Sequence, residues 1–536
     1  MTNLLKGNVI DIIRREIFPA EIQVNEFGKI SKIRKLSEKL DNYFLPGFID
    51  SHIHIESSML PPLEFSRIAL KHGTVSVVCD PHEIANVLGI EGINYMMENA
   101  VKSELKFFFG IPSCVPATSL ETSGAIIDSQ KIAKLISTGK FSCLSEMMNY
   151  PGVIHNDEEV FKKIDLAIKT KLPIDGHAPF LSGKNLDKYI NSGISTDHEA
   201  SSYEEGKEKI KKGMKILIRE GSAAKNFNNL IPLMKDYPDK LMFCSDDKHP
   251  DDLTKGHINI LVKQCLEKGY DLFDVLRAAT LNPIKHYNLD VGLLQIGDPA
   301  DFIEINNLSD FKIKKTFING KLVYKQNAKL QKYVRSKIIN NFNRAKLKSE
   351  ALKYNFKNEK IKIIKVIDGD LTTESETINS NLLLPNISED ILKIVVVNRY
   401  YETKPAVAFV KGFGFKRGAI ASSVAHDSHN IIAVGTNDED ILKAINFIID
   451  AKGGLVGVNK NAKITLDLPI AGLMSDKNYE YVSSKYFELN SFAKSLGTSL
   501  TSPFMTLSFL ALIVIPHLKI SDKGLFDVDK FQFVEN

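Results

Sequence analysis

The 536-residue chain predicts an α/β protein: a (β/α)8 TIM-like barrel, a small β-sandwich built from both flanks, and an additional C-terminal α/β domain. Three observations predict it. Eight short apolar or β-branched runs recur between residues 44 and 253, with helix-like stretches between them. Strands alternating with helical patterns make parallel βαβ units, and eight such units close a barrel. Each run ends in polar residues, where a barrel of this kind carries its active site. Finally, nine of the 13 histidines fall between His52 and His257, a clustering of the one side chain that both ligates metals and titrates near neutral pH.

Taken in order, residues 1–43 read as strands and turns, as in EFGKISKI. The barrel, 44–287, starts with FLPGFID before Ser51-His52 and continues with TVSVVCD ending at Asp80 and FFFGIPS ending at Ser113. FSCLSE ends at Glu146, LPIDGH at His177, GISTDH at His198 and MKILIREGS at Ser222, and LMFCSDD reaches Asp246. Glu158–Lys169 and Ser202–Lys211 are among the helices between them, and DLFDVLRAATLNPIKHYNL reads as a helix stopped near Pro283. Residues 288–328 hold short strands with turns at Gly297 and Gly320, and pair with 1–43 as the small sandwich. Residues 329–375 are a basic connector, read as helical and partly packed; 329–365 alone carries 12 Lys/Arg against 2 Asp/Glu. From 376 to 536 an α/β pattern returns, with ILKIVVVNRY, the helical DEDILKAINFIIDAKGG and the run SLTSPFMTLSFLALIVIP.

Composition narrows the function. Apolar residues at 43% and charged residues at 25% are ordinary for a globular chain, and a net charge of +4 excludes one built wholly around nucleic acid. Cys79, Cys114, Cys143, Cys244 and Cys265 show no C-x-x-C spacing and imply no disulfide framework, which fits a reducing cytosol. The amino terminus lacks the apolar core of a signal peptide. The longest apolar run, Phe509–Ile515, is far short of the ~20 residues that span a bilayer. A cytoplasmic protein with neither membrane nor nucleic-acid partner is expected.

His52-x-His54 ends an apolar strand, and residues two apart on a strand share a face, so both imidazoles can reach one cation. His177, His198, Glu146 and Asp246 end later strands. Neutral imidazoles with carboxylates suit Zn, Fe or Mn, and there is no thiolate set of zinc-finger type. His72, His155, His257 and His286 read as structural. His426 and His429 sit in a C-terminal segment placed to cover the barrel mouth or to make a dimer contact.

PGFIDSHIHIESS at 46–58, the two later histidines, Asp246, AATLNP at 278–283 and GLLQIGDPADF at 292–302 resemble the amidohydrolase superfamily. DPHEIANVLG at 80–89, SEMMNYPGV at 145–153, DGHAP at 175–179 and CSDDKHPDDL at 244–253 resemble more narrowly the bacterial-type adenine deaminase family. GFGFKRGAIASSVAHDSHNI at 412–431 is similar to that family's extra domain. The resemblance covers nearly the whole chain, in order. It implies a binuclear divalent metal centre, Mn2+ or Fe2+, with a ligand set that also suits Zn2+. His52 and His54 would hold one ion with Asp246, His177 and His198 the other, and Glu146 would bridge them where many superfamily members use a carboxylated lysine. The implied reaction is hydrolytic deamination of adenine to hypoxanthine and ammonia by a metal-bridging hydroxide, in purine salvage, by a homodimer or larger homo-oligomer.

In that scheme Asp246 takes the water's proton and passes it to the leaving amine, and Glu83, with His82 beside it, protonates the ring nitrogen. His249, Arg219 and Ser222 are candidate substrate contacts, and Asp247 competes with Asp246 as the strand-end acid. Two other readings stand beside this one. The same centre in a dihydroorotase-like or hydantoinase-like enzyme would open a cyclic amide, against which the missing strand-4 lysine and the DPHE segment weigh. A non-catalytic purine sensor would be expected to have lost a ligand or the acid.

Overall fold

The computed structural model describes residues 3–222, 224–328, 332–460 and 462–536. Five parallel strands, Phe48–Ile53, Thr74–Cys79, Lys106–Ile111, Cys143–Met147 and Ile174–Gly176, form one sheet. Thr196–Asp197, Lys215–Arg219 and Leu241–Cys244 form a second. Parallel bridges Ile174 to Ile194 and Ile53 to Asp246 join them at both seams and close an eight-stranded barrel. The strands are apolar runs rather than alternating ones because both faces are covered; every residue of Thr74–Cys79 and Leu241–Cys244 is buried. The outer helices repeat one logic. In Glu158–Lys169, Val160, Ile164 and Ala167 are buried on one stripe, and the Asp157 side chain caps the first turn by accepting from the Val160 amide. Asp157→Ala would cost that helix about 1 kcal/mol.

The segment around Pro283 is two helices, Leu272–Ala278 and Leu281–Tyr287, not one stopped at the proline. Pro283 lies in the first turn of the second, where its missing N–H would have no helical partner.

The flanks join in one seven-stranded sheet, ordered Lys321–Lys325, Ile313–Ile318, Phe302–Ile305, Tyr43–Pro46, Asn3–Asp11, Glu16–Val24, Ile30–Lys35. The two layers of the small sandwich are halves of this one sheet folded over itself. Ala20, Ile22 and Val24 share a core with Phe302 and Phe317. At the fold-over, a Cβ on Gly320 would stand 2.5 Å from Val24 Cγ1, and its φ of 73° also favours glycine.

The basic stretch is not helical. Its first residues, 329–331, lie outside the described residues, and from 332 to 348 there is neither helix nor strand; Ser349–Leu352 is a single 3-10 turn. Its polar groups bond outward instead of along the chain. The Lys337 carbonyl accepts from Tyr95 Oη at 2.9 Å, and the Asn343 amide donates to the Arg399 carbonyl at 2.8 Å. Leu347 and Leu352 are buried against helix Asp438–Ala451. Contacts of this kind override the weak helix propensity of an Asn-rich run.

An eight-stranded sheet builds the C-terminal domain, ordered Thr373–Asn379, Lys360–Val366, Ala406–Lys411, Ile391–Val397, Ile431–Gly435, Ala419–Ser422, Gly454–Asn459, Ala462–Asp467. It therefore starts inside the 329–375 stretch. Its alternation places Val395 and Val397 under helix Asp438–Ala451, while Ile394 and Val396 face a core shared with Ile53, Ile55 and Met96 of the barrel. Through that shared core the domain sits over the barrel's carboxyl end. No helix among the described residues is long and apolar enough to cross a membrane.

Candidate active site

The barrel strands deliver their terminal side chains to one buried cluster. His52 is the penultimate residue of the first strand and His54 follows its end, and their Nε2 atoms face each other at 3.2 Å. The His54 Nδ1 lies 3.1 Å from the Asp80 carbonyl, a bond that directs Nε2 into the cluster. Asp246 lies two residues past the eighth strand, with φ 51°. This left-handed backbone is costly for a residue with a Cβ, and it coincides with the bridge to the first strand, where the Asp246 amide donates to the His52 carbonyl at 2.9 Å. Asp246 Oδ1 then lies 3.1 Å from His54 Nε2 and 3.6 Å from His52 Nε2. Asp247 turns instead to the Ser57 hydroxyl.

Glu146 stands between two nitrogen pairs. Its Oε1 is 3.2 Å from His54 Nε2 and 3.9 Å from His52 Nε2; its Oε2 is 2.6 Å from His177 Nδ1 and 3.1 Å from His198 Nε2. Burial pushes the Glu146 carboxyl upward, but His177, His198 and His54 hold it well below the usual carboxylate range. Asp246 is likewise raised by burial and pulled well down by Arg219, His52 and His54. Four imidazoles and two ionised carboxylates, all buried, converge in groupings of three or more ligand atoms within 4.8 Å. Charges this close and this dry need a partner, and the N/O donor set fits divalent cations.

Around the cluster, Arg219 is buried and donates to both Glu199 oxygens and, through Nη1 at 2.6 Å, to Asp246 Oδ2. It lines the cavity, but its guanidinium is spent on fixing two carboxylates. His249 and Ser222 do not line that cavity. His249 Nδ1 pairs with the Tyr486 hydroxyl, and the Ser222 hydroxyl accepts from the His249 amide at 2.8 Å. His82 Nδ1 lies 3.1 Å from Asp80 Oδ2 and 3.4 Å from Glu146 Oε1. Glu83 sits beside it, gripped through both oxygens by the C-terminal domain: His426 Nδ1 at 2.5 Å from Oε1, and His429 Nε2 on Oε2. Burial would raise the Glu83 carboxyl, yet His426, His429 and His82 hold it well below the ordinary value.

Of the four histidines read as structural, His155 is exposed, His286 is half-buried, and His72 and His257 are buried. His72 Nε2 bonds to the Leu253 carbonyl and His286 Nδ1 lies 2.9 Å from Lys215 Nζ. His257 pairs with Asp50, whose Oδ2 also accepts from the Ser245 hydroxyl, bracing the first strand against the eighth. Asp50, Glu199 and Asp427 were missed as site residues. Glu199 directly follows His198, and A-H-D-S-H puts three metal- or proton-handling side chains within four residues; those were the available signals.

The amidohydrolase family model matches residues 43–323, and the adenine deaminase C-terminal domain model matches 366–532. A Sulfurovum protein named adenine deaminase is 54% identical over 536 residues, covering 99% of each chain. Proteins of the same name from Borreliella burgdorferi and Methanosarcina barkeri are 51% and 49% identical, each across 99% of this chain and 99% and 98% of their own.

Proposed function

Because the chain belongs to the adenine deaminase family of amidohydrolases, we propose that it hydrolyses adenine to hypoxanthine and ammonia, with two Mn2+ or Fe2+ ions in the cluster. His52, His54, Asp246, His177, His198 and Glu146 would hold these ions. The observation that carries the reading is the reach of Glu146, one oxygen toward the His52/His54 pair and the other toward His177 and His198. A strand-4 carboxylate takes the position that a carboxylated lysine fills in many ring-opening amidohydrolases.

When bound, the ions supply a water that ionises near neutral pH. The protein's groups then manage two protons. Asp246 has Oδ2 held by Arg219, which leaves Oδ1, the oxygen facing His52 and His54, to take the first proton and hand it to the amino group as the C6–N bond breaks. Ring nitrogen N1 must be protonated as the C6–O bond forms. Glu83 is ionised in this arrangement, so it acts as a relay: it passes on a proton received from its histidine partners and recovers one from the new hydroxyl. One water proton ends on N1 and the other on ammonia, which balances the reaction. His82 orders this corner through Asp80.

A cytosolic homodimer or larger assembly accompanies this reading; the five cysteines are buried and unpaired, as a reducing compartment leaves them. A steady-state assay of the metal-loaded protein with adenine, following hypoxanthine, tests the reading. Turnover of dihydroorotate or a hydantoin in place of adenine would move the chain to ring opening.

A further inference from the structure

Between His426 and His429, the segment that grips Glu83 carries an acid that grips nothing. Asp427 is 3% exposed, and its Oδ2 is buried without a hydrogen-bond partner among the described residues. The nearest basic group to that oxygen is His82 Nε2, at 4.0 Å. The neighbouring His426 Nε2 is also buried without a hydrogen-bond partner among the described residues. Both residues line one cavity with Glu146, His177 and Arg219 of the metal-type cluster. Leu371, Phe509, Leu512 and Ile515 add apolar lining to the same cavity, with the Phe509 ring stacked on His426 at 4.4 Å and 15°. A buried carboxyl left without a donor is destabilising, and natural folds keep such a group where something else supplies the donor. Apolar lining beside a free acceptor, next to the reacting centre, suits a heteroaromatic ring that presents an N–H.

We propose that Asp427 is the specificity-determining residue the C-terminal domain contributes: its Oδ2 accepts a hydrogen bond from an N–H of the bound purine base. This rests on the adenine reading above. The domain then does more than cover the barrel, because it holds Glu83 with two histidines and reads the substrate with the acid between them.

The test uses the full-length, metal-loaded protein with Asp427→Asn and Asp427→Ala. A net hydrogen bond contributes about 0.5–1.5 kcal/mol, or roughly 2- to 12-fold in affinity. The KM for adenine should rise by about that factor in the alanine variant and less in the asparagine variant, whose carbonyl still accepts. Metal content should stay at the wild-type level, kcat should change less than KM, and the inhibition constant of hypoxanthine should rise in parallel. An unchanged KM in both variants with a lowered kcat would overturn the proposal, because Asp427 would then act through Glu83. Loss of fold or metal in both would also overturn it, making the residue structural. If the wild type does not deaminate adenine, the functional reading fails instead. Calorimetric binding of adenine then judges Asp427 alone, with the same weakening expected and equal affinity contradicting it.

Discussion

Arg219→Met removes one buried cation from between two buried carboxylates. Arg219 meets both oxygens of Glu199 and one oxygen of Asp246, and all three side chains are at most 8% exposed. Breaking such a pair from one side leaves uncompensated buried charge and costs about 3–5 kcal/mol. The Glu199 carboxyl leads to a similar size. Burial pushes it up, but Arg219, followed by His177 and His198, brings it down to about 2 from the usual 4.5. That shift corresponds to about 3 kcal/mol. A depressed carboxyl contributes stability that is present above pH 4.5 and lost as pH falls toward 2. At pH 7 the variant should therefore show the whole loss. For a domain of the barrel's size, about 3 kcal/mol lowers Tm by about 6–12 °C. Activity should fall further than stability. Freed of Arg219, Asp246 can swing its working oxygen away from His52 and His54, and a displacement of about 1 Å costs roughly 100-fold in rate. Scanning calorimetry and steady-state kinetics on Arg219→Met and Arg219→Lys are the assays. Lysine should restore part of the stability and little of the rate, since it lacks the bidentate fork. A Met variant melting within 2 °C of wild type with kcat within about twofold would refute the argument that Arg219 fixes Asp246.

Glu146→Gln should bind one metal ion or none per chain and lose more than about 100-fold in kcat, read by elemental analysis and adenine turnover; two ions retained would remove Glu146 from the bridge. Chelation should abolish turnover and raise susceptibility to thermal unfolding, and Mn2+ should restore both, because bound ions stabilise the state that binds them. His72 is driven down to about 3, chiefly by burial and then by His257 and Lys71. Its neutral form therefore contributes stability that is full above pH 6.5 and lost as pH falls toward 3. His72→Gln should flatten the pH dependence of Tm across that window, by up to about 1.4 kcal/mol per pH unit.

Much of the site was legible because barrel strands end where chemistry happens. His52, His54, Glu146, His177, His198 and Asp246 each stop an apolar run, and closing the ring brings all six together. The preference for Asp246 over Asp247 came from the resemblance to the superfamily, since the run LMFCSDD itself leaves both open; the structure turns Asp247 to Ser57. Contacts between distant segments were less legible. Nothing in MKILIREGS says that Arg219 meets Glu199 rather than a substrate, because that pairing depends on the approach of neighbouring strands. His249 looked available, yet Tyr486, 237 residues away, occupies its ring nitrogen. The basic stretch was misread as helix for the same reason: its partners are Tyr95, Arg399 and the helix Asp438–Ala451, none visible in a local window. The grip of His426 and His429 on Glu83 spans 343 and 346 residues.

The most direct test of the account is hypoxanthine formation from adenine by protein reconstituted with two Mn2+ per chain, beside Asp246→Asn prepared the same way. Sustained release of hypoxanthine and ammonia in equal amounts by the wild type, with the variant reduced by orders of magnitude at full metal content, is the predicted result. No adenine turnover by the fully loaded wild type, or an Asp246→Asn enzyme as active as its parent, would contradict it.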